Sequence, residues 1–133
     1  MLRPRSLSLV ALFTLVVAPL ALAAAGPRLQ AFFQPDLTNV AYQQKVYAQV
    51  AGKWKQPGRK SVPAVGRKAV VQAVIGRDGK LVSAVVGVES GSKAWDAAAL
   101  SAVQKAAPFT PLPADYVLPT LDAHFHVEWT ASP

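Results

Sequence analysis

The chain contains no cysteine among its 133 residues. Disulfide frameworks and thiolate metal sites are therefore excluded, and an oxidising compartment is permitted without being exploited. Acidic residues are scarce too: seven Asp and Glu stand against fourteen Lys and Arg, for a net charge of +7. No G-x-S-x-G, H-E-x-x-H, P-loop or paired-carboxylate motif occurs, so hydrolytic, metalloprotease and nucleotide chemistry lack their usual residues. Internal repeats are missing, and beyond residue 25 no apolar run is long enough to span a bilayer. Nucleic acid is a poor partner, because no binding motif is present and the aromatic residues are not interleaved with the basic ones. Neither an enzyme activity nor a cofactor is expected.

What is there begins with an address. Arg3 and Arg5 form a short basic region, Leu7 to Leu20 is almost wholly apolar, and Ala21-Leu22-Ala23 and Ala23-Ala24-Ala25 offer small-x-small cleavage sites. That is the layout of a secretory signal peptide over residues 1–25. The nineteen residues from Leu7 to Ala25 also match the roughly 17–25 of a spanning helix, so an uncleaved inner-membrane anchor is the alternative. Pro19 ahead of two cleavage sites favours removal. Either way the remainder is exported, and the periplasm is the expected location. Removal takes Arg3 and Arg5 away, lowers the charge from +7 to +5 and leaves 108 residues. That is enough for one small domain held together by packing.

Residues 26–41 contain two prolines and no clear period. They read as a linker or arm, with Phe32-Phe33 as a pair that docks on the domain. The domain is expected over residues 42–130. From about Thr38 the pattern is helical: Tyr42, Val46 and Val50 recur at i, i+4, i+8, and Tyr47, Val50 and Trp54 at i, i+3, i+7. Gly52, Pro57 and Gly58 end it. Around the loop that follows, Lys53, Lys55, Arg59, Lys60, Arg67 and Lys68 make a candidate basic patch. Such a patch fits a polyanion or an acidic partner, or is simply a solvated loop.

Ala69 to Ile75 and Leu81 to Val88 alternate as two strands. The Asp78-Gly79 pair between them is a hairpin signal, because glycine tolerates positive φ. Ser90-Gly91-Ser92 then suits a strand end and a helix cap. Trp95, Ala98, Ala99, Ala102, Val103 and Ala106 follow at helical spacing, an alanine-rich face able to lie close on a small sheet. Pro108 stops this helix, and Pro111 and Pro113 extend the chain. In the last strand, Leu121, Ala123, Phe125, Val127 and Trp129 alternate with Asp122, His124, His126 and Glu128, as in a sheet covered on one face.

The order helix, strand, strand, helix, strand implies an α+β fold. It is a two-layer sandwich in which both helices cover one face of a three-stranded antiparallel sheet. The last strand is expected at an edge, where another chain's strand can pair.

This set of features resembles the carboxy-terminal domain shared by TonB and TolA proteins. The markers are Tyr47 with Trp54 and Pro57, the hairpin Gly76-Arg77-Asp78-Gly79, Ser90-Gly91, Asp96 with Ala99 and Leu100, and Ala106-Ala107-Pro108-Phe109-Thr110-Pro111-Leu112-Pro113. The resemblance implies a non-enzymatic periplasmic module, linked to envelope transport, that binds a partner segment by strand addition. Carried over, the contact strand is Leu121, Ala123, His124, Phe125, His126, Val127, Glu128 and Trp129. The partner would be a periplasmic or outer-membrane protein, or a second copy pairing edge to edge. Family transducers use a long spacer after a permanent anchor; the sixteen residues 26–41 span at most about 55 Å. A free periplasmic binding domain, rather than a transducer by itself, is therefore expected. The alternative function is a metal- or polyanion-binding accessory protein. It would use the basic loop, or His124 and His126 with Glu128, whose His-x-His spacing sets two imidazoles about 7 Å apart along a strand. No third histidine completes that set.

Overall fold

The computed structural model describes residues 25–131, and the expected signal segment falls almost entirely outside them. The elements are β1 (Gly26–Phe33), α1 (Val40–Ala51), a 3-10 turn (Arg59–Ser61), β2 (Lys68–Gly76), β3 (Leu81–Val88), α2 (Lys93–Ala106) and β4 (Thr120–Thr130). The strands form one antiparallel sheet in the order β1-β4-β2-β3. No described helix is long and apolar enough to cross a membrane.

Two expectations need correction. The sheet has four strands, because part of the expected linker, Gly26–Phe33, pairs with β4 over Gly26↔Thr130 to Phe33↔Ala123. The last strand is consequently interior, flanked by β1 and β2, instead of lying at an edge. The physical reason is the alternation Pro27, Leu29, Ala31, Phe33. It gives β1 an apolar face in register with the buried face of β4, even though Phe32 interrupts the polar side.

Both helices cover the face that carries Ala69, Val71, Ala73 and Ile75 of β2 and Leu121, Ala123, Phe125 and Val127 of β4, and one core unites them. From α1 it receives Tyr42, Val46 and Val50, and from α2 Trp95, Ala99, Ala102, Val103 and Ala106. Each helix starts on a side-chain cap, Asn39 Oδ1 accepting from Tyr42 N at 2.9 Å and Ser92 Oγ from Trp95 N at 3.2 Å. The alanine face of α2 keeps it close to the sheet, so that the buried Trp95 donates its indole N–H to Val127 O at 3.0 Å. Trp54 and Trp129 meet the Trp95 ring edge to face.

The hairpin and the proline passage are tied together. Gly79 has φ +91°, and a Cβ there would sit 2.0 Å from the Phe109 carbonyl oxygen. Phe109 N donates to Gly79 O at 2.8 Å, and Leu112 N to Arg77 O at 3.0 Å. The Arg77 guanidinium donates to the carbonyls of Pro113 at 3.2 Å, Tyr116 at 2.5 Å and Leu118. Glycine is thus required here for close approach as well as for the turn. Tyr42, whose hydroxyl donates to Thr110 O at 2.7 Å, is pushed up to about 12 by burial.

Candidate functional site

The strand picked out from sequence, β4, sits at the middle of the β1-β4-β2 ladder. Two bonds set its phase: Gln34 N donates to Asp122 O at 3.1 Å on one side, and Gly66 N to Trp129 O at 3.3 Å on the other. Because N–H and C=O of successive residues point to opposite sides of an antiparallel strand, Asp122, His124, His126 and Glu128 direct their backbone to β1. Leu121, Ala123, Phe125, Val127 and Trp129 direct theirs to β2. The side chains divide in the same alternation. Leu121, Ala123, Phe125 and Val127 are buried under the helices, while Asp122 and His124 are exposed on the open face.

That open face is ordered in rows across the sheet. Arg28, Glu128 and Lys68 form one, Gln30, His126, Val70 and Val88 the next, and Phe32, His124, Gln72 and Val85 a third. Arg28 pairs with Glu128 at 3.2 Å. The rings of Phe32 and His126 lie 4.5 Å apart, centroid to centroid, with the planes inclined at 52°. Burial first, then the charges of Lys68 and His124, hold His126 below the usual histidine range, and Glu128 opposes them. Phe32 and Phe33 point to opposite faces: Phe33 packs on the core, whereas Phe32 is 49% exposed.

The remaining candidates separate in space. No three His, Asp or Glu side chains among the described residues come together as a metal cluster, so His124, His126 and Glu128 do not assemble into a closed site. The six basic residues lie on several elements, Arg59 and Lys60 on the 3-10 turn. Lys60 and Arg67 border a cavity of about 410 Å³ at the start of α2, joined there by Lys93. Lys53 and Lys55 are exposed just beyond α1, while Lys68 stands on the open sheet face opposite Glu128.

Sequence reasoning missed β1 itself. Along its outer side, towards α1, two cavities remain. One of about 220 Å³ is lined by Ala31, Phe33, Gln43, Gln44 and Tyr47. The other, about 160 Å³, is lined by Pro27, Leu29, Tyr47, Ala51, Trp54 and Val127. The outward backbone of β1 is blunted as edge strands commonly are. Pro27 has no N–H to offer, and the Leu29 carbonyl accepts from the Tyr47 hydroxyl at 3.2 Å. Trp54 Nε1 is buried without a partner. The signal that could have revealed β1 was the four-residue apolar alternation starting at Pro27, hidden by the adjoining Phe32 and the prolines.

Compared with known families, residues 39–125 match the TonB C terminal family. No curated protein and no solved structure matches. The match covers α1 through most of β4 and leaves β1 outside it. Because that match spans more than half of the chain, the chain belongs to the TonB C-terminal domain family, a non-catalytic family of envelope protein interaction.

Proposed function

We propose that this chain is a periplasmic protein-interaction module that receives an extended partner segment by backbone pairing along β4, on the side now taken by β1. One observation carries the reading. The Asp122, His124, His126 and Glu128 amides and carbonyls are closed off only by a terminal strand, none of whose eight residues is fully buried. Strand addition gives affinity through the main chain and specificity through alternate side chains. β4 offers both: a ladder of unsatisfied groups once β1 leaves, and flanking recesses towards α1.

The test uses the absence of cysteine. Leu29 and Val127 face each other across β1 and β4 at a non-hydrogen-bonded position, where Cα atoms lie about 4.5 Å apart, within disulfide range. The Leu29→Cys/Val127→Cys chain is given a photoreactive residue at position 126 and expressed in the envelope. Reduced, it should crosslink to a discrete partner; oxidised, with β1 fastened, it should not. Equal capture in both states removes β4 as the receiving strand.

A further inference from the structure

β1 is tied to the domain at both ends. At its Phe33 end, Gln34 is fixed three times. Its N–H donates to Asp122 O at 3.1 Å, and its Oε1 accepts from Asp122 N at 3.1 Å and from the Tyr116 hydroxyl at 3.0 Å. Towards Gly26, Thr130 Oγ1 donates to Gly26 O at 2.9 Å, the Tyr47 hydroxyl donates to Leu29 O at 3.2 Å, and Arg28 pairs with Glu128. β1 is an outer strand of the sheet, followed by Gln34, Pro35 and the buried Leu37, so its local opening leaves the β4-β2-β3 ladder paired. It also fills its place incompletely: the cavities of about 220 and 160 Å³ lie beside Ala31 and Leu29. Its recognition of β4 is nonetheless specific. Four apolar side chains face α1, Arg28 meets Glu128 at 3.2 Å, and Phe32 lies on His126.

We infer that β1 is a built-in stand-in for the partner, and that the partner carries an extended segment with the alternation of β1: apolar side chains towards α1, a cation opposite Glu128 and an aromatic ring over His126. This rests on the reading that β4 is the receiving strand. It adds what the segment looks like, and that the chain blocks its own site until such a segment competes. Because an attached strand acts at an effective concentration in the millimolar range, the partner needs better contacts than β1 makes. The cavity beside Ala31 supplies the place for them, since a larger apolar residue there covers surface that β1 leaves bare.

The probe is a fluorescent peptide of the sequence from Gly26 to Phe33, titrated into the chain without its signal segment. The receiver is the Leu29→Asp chain, in which a carboxylate on the α1-facing side loosens β1. A second receiver, Arg28→Glu, guards against loss of fold in the first, and both are checked for native tertiary structure by near-ultraviolet circular dichroism. The loosened chains should bind the peptide at least tenfold more tightly than the unaltered chain. Leucine at the Ala31 place of the peptide should improve binding at least fivefold. Glutamate at the Arg28 place should weaken it about tenfold, and a Leu29→Asp/Glu128→Arg chain should restore it. Indifference of the folded loosened chains to these three peptides, or binding of a scrambled peptide as well as the native order, overturns the inference. Redox-dependent capture by the stapled chain would then still support β4 as the receiving strand. Redox-independent capture would instead sink that reading, whatever the peptides do.

Discussion

Two glycines at positive φ separate the cost of a turn from that of a close approach. Gly66 (φ +86°) has nothing within 4 Å of where a Cβ would stand, whereas at Gly79 (φ +91°) that Cβ would lie 2.0 Å from the Phe109 carbonyl oxygen. Gly66→Ala incurs only the left-handed penalty of about 1–2 kcal/mol, offset by about 0.4–1 kcal/mol from a stiffer unfolded chain. Gly79→Ala carries the same terms. It also breaks the 2.8 Å bond from Phe109 N to Gly79 O, about 1 kcal/mol, and displaces a passage whose Phe109 and Leu112 are buried, about 1–3 kcal/mol more. Urea unfolding should therefore give a loss of about 0.5–1 kcal/mol for Gly66→Ala and about 3 kcal/mol for Gly79→Ala. The second corresponds to a fall in Tm of about 12–24 °C in a domain of this size. Two losses within about 0.5 kcal/mol of each other would refute the tie between the hairpin and the proline passage.

Trp95→Phe should cost about 2–3 kcal/mol in the same assay, because it leaves Val127 O without the indole N–H and a hollow between Trp54 and Trp129. His126 is held low in the folded chain, so the unfolded chain takes up its proton first. Its contribution is present above the unfolded value of about 6.5 and is lost as pH falls from there through the lowered folded value. A His126→Gln chain should lose less stability between pH 7.5 and about pH 5.5 than the parent, and parallel curves would contradict this. Partner capture at position 126 should survive a chelator and about 0.3 M salt, since backbone pairing needs neither metal nor long-range charge; loss under either condition would favour metal or polyanion binding.

The domain's centre was legible because its elements carry strong local signals. Ser92 caps a helix where a Ser-Gly-Ser turn precedes an apolar period, and Asp78-Gly79 turns the hairpin. Arg77 stands in the hairpin marker, where its sequence neighbours give it no role. Its three carbonyl partners lie 36 to 41 residues away, a separation no local pattern reports. The interior position of β4 is hidden from the sequence for a related reason. Counting strands from periodicity cannot reveal that a short, proline-bearing segment ninety residues or more upstream closes the open side. His124 and His126 read alike in sequence, yet the ladder leaves His124 exposed and sets His126 against Phe32. Of the basic residues, Lys68 is carried onto the sheet because the loop ends in β2.

Backbone amide exchange along β4 of the unaltered chain tests most directly whether β1 can leave by itself. The amides of His124, His126 and Glu128 face β1, and those of Ala123, Phe125 and Val127 face β2. If β1 opens while the rest of the domain stays folded, the first set exchanges at least about tenfold faster, a difference of about 1.4 kcal/mol in opening free energy. Equal protection at both sets would make β1 an integral strand and leave β4 no vacant side for a partner to take.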